Sequence, residues 1–523
     1  MANDVLNAAL SPVVETASGK IRGAAAGGIH AFKGIPYAAP TGGANRFLPP
    51  RPVSTWGGVR DALAYHGKAP QSPAQVKRRA EMDGILGPLD TTPETEDCLT
   101  LNIWTAGLDA AKRPVMVWLH GGAFAYGSGN RAVTDGANLA RRGDVVVVSV
   151  NHRLNICGYL HLEDIGGERF AGSGNSGSLD MVRALEWVRD NIAAFGGDAG
   201  NVTIFGESGG GGKVSALLVM PAAKDLFHRA VIQSGAAVRF TTRERANALA
   251  DAVLKQVGGL DKLQDVPLAT LLSTIIPASK TAGPRAYPLL DRYDFGPVVD
   301  GAVMAQHPAE PTTSPLGDTT PLMIGGTARE ASLFLDDDAV WHRTLTEDQL
   351  RQRVAAVAGP DAEDALKLYR DLLPGASPGD RLIAALTGSN FSVRTWLYAE
   401  RRAARAQGNK AAPVYHYSLD WPSPFAGGRM GAHHAMDLPF VFNTTDVPRS
   451  TKGADGAPEL AAAMAATWAA FARNGSPENP AIPAWPAYDG TARATMVFDT
   501  RCRVVNDPLH DARLLWSRVA TRA

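Results

Sequence analysis

The chain has 523 residues, 45% hydrophobic and 20% charged, which is long for one ordinary domain but suits a large α/β enzyme with insertions. Lys+Arg and Asp+Glu balance at 52 each, which argues against nucleic acid or an anionic membrane surface as partner. No run approaches the roughly 18 consecutive apolar residues of a spanning helix, and Met1-Ala-Asn-Asp-Val-Leu-Asn7 lacks the basic and apolar regions of a signal peptide.

Residues 11–60 carry short strand-like pieces between Gly and Pro: Ser18–Gly23, Ile29–Lys33 and Gly34–Pro40. Arg46-Phe-Leu-Pro-Pro-Arg-Pro52 cannot be helix, because successive prolines remove donors and bar the α region before them. An N-terminal hairpin and a long surface connection are expected, with residues 66–95 as loop. From Cys98 the pattern changes. Leu99–Trp104 alternates, while Pro114–Leu119 and Asp144–Val150 are near-continuous apolar runs of the kind covered on both faces of a parallel sheet. A helix is expected over 178–194, with Met181, Leu185, Val188 and Ile192 at helical spacing and Gly196-Gly197 as its stop.

Val202–Phe205 reads as a strand, Gly206-Glu207-Ser208-Gly209-Gly210 as a sharp turn, and Val214–Met220 as the apolar part of the next helix. A serine on such an elbow projects its hydroxyl from the sheet, and the helix N-terminus behind it favours developing negative charge. On its own the pentapeptide is unspecific in a chain with 54 glycines. Further strands are expected at Ala230–Gly235, Pro321–Gly325, Pro413–Leu419 and Ala494–Phe498, and a last helix at Pro458–Arg473. Alternating strands and helices imply an α/β, doubly wound and mostly parallel sheet. The helical segments at about 241–285 and 345–408 are candidates for a cap over a site. With no repeat and no dividing linker, the expectation is a single domain over 1–523.

A serine hydroxyl needs a base, an acid that orients the base, and donors for the oxyanion. His120-Gly-Gly-Ala-Phe124 follows the strand Pro114–Leu119, at the carboxyl edge where open α/β sheets bind ligands. Its backbone N–H groups, with that of the residue after Ser208, suit an oxyanion hole. From the residues alone the acid stays open: Glu330 could be a first-turn helix carboxylate, and Asp336–Asp338 compete with it. The base also stays open between His433 and His434.

Seven stretches, in order and spacing, resemble the type-B carboxylesterases, the family of bacterial para-nitrobenzyl-type esterases and the cholinesterases. They are Glu96–Asn102, His120–Phe124, Asn151–Leu154, Gly174–Asp180, Phe195–Asp198, Gly206–Gly210 and Gly431–Phe442. The resemblance runs from about residue 12 to 518. It implies an α/β-hydrolase fold with helical cap insertions, Ser208 as nucleophile, Glu330 as acid, His434 as base, and oxyanion donors at Gly122, Ala123 and Gly209. The order Ser208, Glu330, His434 is the nucleophile–acid–base order of α/β-hydrolases. Glu207 is implied as a candidate supporting residue and Asp97 with Arg153 as a buried charge pair, while Ser234, at the end of a core strand, is a candidate to hydrogen-bond to the triad. Phe240, Phe334, Trp421 and Met436 are pocket-lining candidates that core packing explains as well.

The resemblance implies hydrolysis of a small-molecule ester through an acyl-enzyme, with no cofactor and no metal. The rivals are a carbamate, amide or aryl-ester hydrolase with the same triad, and a non-catalytic binding relative. Two departures stand out. The family usually has Ala after the nucleophile, whereas this chain runs Gly209 to Gly212, which weakens a helix start by about 1 kcal/mol per glycine. Relatives often pair the cysteine at Cys98 with one upstream, and here none is present. Three well-separated cysteines fit a reducing compartment. The expectation is a cytoplasmic monomer or weak homo-oligomer.

Overall fold

The structure, a computed structural model, describes residues 9–72, 80–82, 84–283, 294–335, 337–406 and 411–522. Strands are numbered in chain order: β1 Ala9–Thr16, β2 Gly19–Ala26, β3 Ile29–Pro36, β4 Val59–Asp61, β5 Thr100–Thr105, β6 Arg113–Leu119, β7 Val146–Val150, β8 Gly197–Glu207, β9 Arg229–Gln233, β10 Thr241–Thr242, β11 Val298–Val299, β12 Leu322–Thr327, β13 Val414–Leu419, β14 Ala494–Phe498 and β15 Arg503–Asn506. The main sheet runs β1-β2-β3-β5-β7-β6-β8-β9-β12-β13-β14-β15, with β4 beside β2 and β10-β11 forming a small separate pair. Every pairing from β7 through β14 is parallel. The antiparallel pairings lie at the two ends of the order.

The β-branched runs behave as expected of strands covered on both faces. In β6, Val115, Val117 and Leu119 enter one core with Val146, Val148 and Ile204. Met116 and Trp118 face the other way, with Val147, Phe205 and Val231. A one-residue slip would exchange these sets, so the two cores fix the register. The alternation read in Leu99–Trp104 does not mark a half-exposed strand, because all six residues of β5 are buried. The N-terminal hairpin is β2–β3, widened by β1 into a meander that joins the main sheet through β5.

The helix expected at 178–194 spans Ser176–Asn191 with a 3-10 turn over Ile192–Phe195, and the late helix spans Ala457–Asn474. The first cap segment contains helices Arg243–Val257, Leu260–Leu263, Leu268–Ser273 and Ile275–Thr281. The second contains Glu347–Ala358, Ala362–Leu372, Pro378–Thr387 and Val393–Ala406. Residues 284–285 and 407–408 of those segments lie outside the described residues. No helix among the described residues is long and apolar enough to cross a membrane.

One expected pairing is wrong. Arg153 does not meet Asp97. It forks onto Asp180, with Nε to Oδ2 at 2.8 Å and Nη2 to Oδ1 at 2.6 Å, and both side chains are buried. Asp180 sits in the first turns of the helix Ser176–Asn191 and also accepts from the Arg153 backbone N–H. Asp97 stays half exposed beside His66. A fully buried guanidinium requires a carboxylate of matching geometry, and of Asp97 and Asp180 it is Asp180 that is buried deeply enough to supply it. Cys98 and Cys157 are free and buried, and Cys502 is free.

Candidate active site

Parallel strands present their carboxyl ends to one rim of the sheet, and the candidate residues leave from that rim. Ser208 follows β8 directly, Ser234 follows β9, Glu330 follows β12, and His434 lies in the connection after β13. Ser208 has φ 57° and ψ −124°, a conformation that a non-glycine residue holds only when its surroundings impose it. Its N–H donates to the Gln233 carbonyl at 2.8 Å, and its own carbonyl accepts from Gly212. The helix Gly209–Leu217 begins at once.

The glycine run has a steric reason. A Cβ on Gly209 would overlap the Ala123 carbonyl and Cα, and one on Gly210 would overlap the Leu119 carbonyl. The helix therefore lies closer to the 121–124 loop than an alanine at 209 allows. Gly121 plays the opposing part: a Cβ there would stand 2.9 Å from Glu207 Oε2. The N–H groups of Gly122, Ala123 and Gly209 are used by no hydrogen bond among the described residues. Asn155 secures the far end of the loop, with its N–H on the Phe124 carbonyl at 2.6 Å and its Nδ2 on the Ala125 carbonyl at 3.1 Å.

The acid and base candidates meet. His434 Nδ1 lies 2.5 Å from Glu330 Oε2, and Glu330 Oε1 accepts from the Thr327 N–H at 2.8 Å. A carboxylate oxygen accepts here, so this pairing puts the ring proton on Nδ1 and leaves Nε2 with no hydrogen bond to Ser208 among the described residues. A backbone bond from the Arg329 N–H to the Ala432 carbonyl ties the two loops together. His433 points elsewhere, its Nδ1 on the carbonyl of His434. Asp337 caps a helix and pairs with Arg353, and Asp336 lies outside the described residues.

A second carboxylate completes the surroundings of the imidazole. His434 Nε2 is 3.1 Å from Glu207 Oε1, within ion-pair reach but off the hydrogen-bond line, so both atoms lack a hydrogen-bond partner among the described residues. Burial disfavours the imidazolium, yet the charges of Glu207 and Glu330 outweigh burial and hold His434 up at about 9. Burial pushes Glu207 up to about 8 and Asp437 up to about 6. These directions agree: the Glu207–His434 contact keeps a proton through neutral pH. Phe334 and Phe391 pack on the His434 ring at 4.9 and 5.1 Å.

Ser208, Gly209 and Ala123 open onto a cavity of about 340 Å³, walled by Phe124, Val238, Phe240 and Phe391. Both cap segments contribute to it, through Arg245 and through Arg394. A larger cavity of about 450 Å³ lies behind Phe391 and touches Glu330 but not Ser208.

The carboxylesterase family model matches residues 10–514. The chain belongs to the carboxylesterase family. This carboxylesterase is 36% identical to the para-nitrobenzyl esterase of Bacillus subtilis (strain 168), over 96% of this chain and 97% of that protein. It is 34% identical to a phenmedipham hydrolase of Pseudarthrobacter oxydans, over 95% and 97%. A crystal structure of a Geobacillus stearothermophilus carboxylesterase superposes with a TM-score of 0.82 at 37% identity, covering 97% of this chain and all of that one. The fold is accordingly the α/β-hydrolase fold, and the enzyme is a carboxylic-ester hydrolase of the serine type.

Not every candidate residue of the carboxylesterase reaches the site. Phe240 lines the cavity and Phe334 covers His434, whereas Trp421 and Met436 are buried in the second core. Ser234 lines the cavity, but its buried hydroxyl reaches no partner among the described residues. Sequence reading passed over Asp437, which accepts from Gln233 Nε2 and Tyr417 OH, each at 2.9 Å. It also passed over Phe391, which sits in a π-turn at Gly388–Ser392 that interrupts the helical period. For Asp437 a signal existed, because it stands three residues after His434.

Proposed function

We propose that this carboxylesterase cleaves small to medium, mainly apolar esters in two steps, with Ser208 as nucleophile, His434 as base and Glu330 as the acid that orients it. The observation that carries the reading is the 2.5 Å pairing of His434 Nδ1 with Glu330, which leaves Nε2 beside Glu207, the residue before Ser208. Ser208 Oγ attacks the carbonyl carbon while its proton passes to Nε2. The developing oxyanion takes the free N–H groups of Gly122, Ala123 and Gly209. The C–O bond to the alcohol then breaks, and the alcohol leaves with the proton from Nε2. Water repeats the sequence on the acyl-enzyme, releasing the acid and restoring Ser208.

The apolar walls of Phe124, Val238, Phe240 and Phe391 favour uncharged acyl chains. We read the chain as one catalytic unit, since the residues assigned come from both halves of a continuous sheet. The free thiols suit a reducing compartment, and we place the enzyme in the cytoplasm. Ser208→Ala should lower kcat/KM by at least about 10³-fold and abolish labelling by a fluorophosphonate probe. Retained turnover of p-nitrophenyl butyrate in that variant would refute the assignment. Matched ester, carbamate and anilide substrates separate the ester reading from its closest rival, with the ester expected to turn over fastest.

A further inference from the structure

One buried amine beside the site has no place in the chemistry above. Lys213 lies in the second turn of the elbow helix and is fully buried. Its Nζ donates to the carbonyl oxygen of His120 at 2.7 Å and stands 5.8 Å from the centre of the Phe124 ring. His120 is the residue between the end of β6 and Gly121, so this bond reaches the first peptide of the loop that carries Gly122 and Ala123. The ring of His120 is held independently, stacked on His152 at 4.9 Å with Nδ1 on the Gly121 carbonyl.

Burying an amine is unfavourable unless its bond is worth keeping. Burial pushes the Lys213 pKa well below its ordinary range, but the amine donates an N–H in either protonation state. Gly209 and Gly210 leave no side chain between the start of the helix and the loop. Their backbones instead lie directly on Ala123 and Leu119, and that of Gly211 on Gly235. Without a tether, such a side-chain-free contact fixes the spacing poorly, because glycines add the most backbone freedom. Asn155 holds only the far end of the loop, at Phe124 and Ala125.

We propose that Lys213 is a positioning residue for the oxyanion loop: its bond to the His120 carbonyl sets the distance between the helix that carries the Gly209 N–H and the loop that carries the Gly122 and Ala123 N–H groups. The proposal rests on the assignment of Ser208 and these three donors. A misplacement of about 1 Å at such donors costs up to about 10²-fold in rate. The loss falls on the transition state, because the ground-state carbonyl depends less on the hole.

The test compares Lys213→Met, which keeps the length and loses the donor, with Lys213→Gln, whose donor is too short to reach. Both are normalised to sites titrated with a fluorophosphonate. Each variant should lower kcat for p-nitrophenyl butyrate at least about tenfold, with KM within about twofold. Each should weaken a butyl trifluoromethyl ketone, whose serine adduct places an oxyanion in the hole, by a similar factor. Either variant alone suffices. Unchanged kcat per titrated site, or equal changes in KM and kcat, would overturn the proposal, and so would a fall in Tm with ketone affinity intact. A wild type that neither turns over the ester nor labels at Ser208 would instead overturn the assignment beneath it.

Discussion

Glu207→Gln removes the carboxylate beside His434 Nε2 and leaves the Glu330 pairing in place. In the wild type the imidazole is held at about 9 against its ordinary 6.5, a lift of roughly 3 kcal/mol in favour of the protonated form. The neighbouring carboxylates supply that lift after first overcoming burial, the largest single influence on the ring. Glu207 is the foremost of them. Its removal should lower the His434 midpoint, because one of the charges that favour the imidazolium is gone. The sign for activity follows from the role of the base: below its midpoint the imidazolium cannot accept the Ser208 proton, and kcat/KM falls about tenfold per pH unit. The wild-type acid limb should therefore lie above pH 6.5, and that of Glu207→Gln at lower pH than the wild type. The assay is kcat/KM for p-nitrophenyl butyrate in a pH-stat, from about pH 5 to about pH 10. An acid limb that stays in place or moves upward in the variant would show that Glu207 does not act on the base.

Glu330→Gln keeps the shape of the acid but offers Nδ1 an amide, so the imidazole loses both its tautomer preference and the charge that steadies the imidazolium; kcat should fall by about 10³ to 10⁴, measured per titrated site. Asp180→Asn leaves the Arg153 guanidinium buried against a neutral amide, and thermal or denaturant unfolding should show a loss of about 3–5 kcal/mol. Phe391→Ala removes the ring that walls both the 340 Å³ and the 450 Å³ cavities. The variant should favour longer acyl chains, gaining about 0.8 kcal/mol, or roughly fourfold in relative kcat/KM, for each further methylene buried. A p-nitrophenyl ester series from acetate to decanoate reads this directly.

The central strands were legible because burial on both faces demands unbroken apolar runs, as in Val146–Val150, and few other structures tolerate them. The elbow was legible because a serine at positive φ between a strand and a helix needs glycine around it. The partners of Ser208 were not legible from the residues alone. Glu330 competed with three aspartates, and His434 with its neighbour, since what distinguishes them is a contact across 104 residues. Order and spacing of the family motifs selected both. The Arg153 pairing was misread because an ion pair is fixed by depth of burial and fork geometry, neither of which sequence spacing encodes. Phe391 escaped because a π-turn changes the direction of a side chain without changing any residue type.

The same physics explains why the site is expensive to the fold and why the surrounding sheet is so thoroughly buried. Ser208 holds a disfavoured backbone conformation, of order 1–3 kcal/mol. Glu207, Glu330 and Asp437 place three carboxyl groups around one buried imidazole, and Lys213 adds a buried amine nearby. None of these would survive in a loose scaffold, because each would relax or take up water. They persist between two apolar cores that fix β6, β8, β9, β12 and β13 in register, so the loops at their carboxyl ends cannot separate without unzipping the strands below. In its proposed role as base, His434 has its proton affinity raised by neighbouring charge against the burial that lowers it. His434 faces two carboxylates, Glu330 at Nδ1 and Glu207 beside Nε2, and both raise its proton affinity, which in the proposed mechanism sets the pH at which it can take the Ser208 proton.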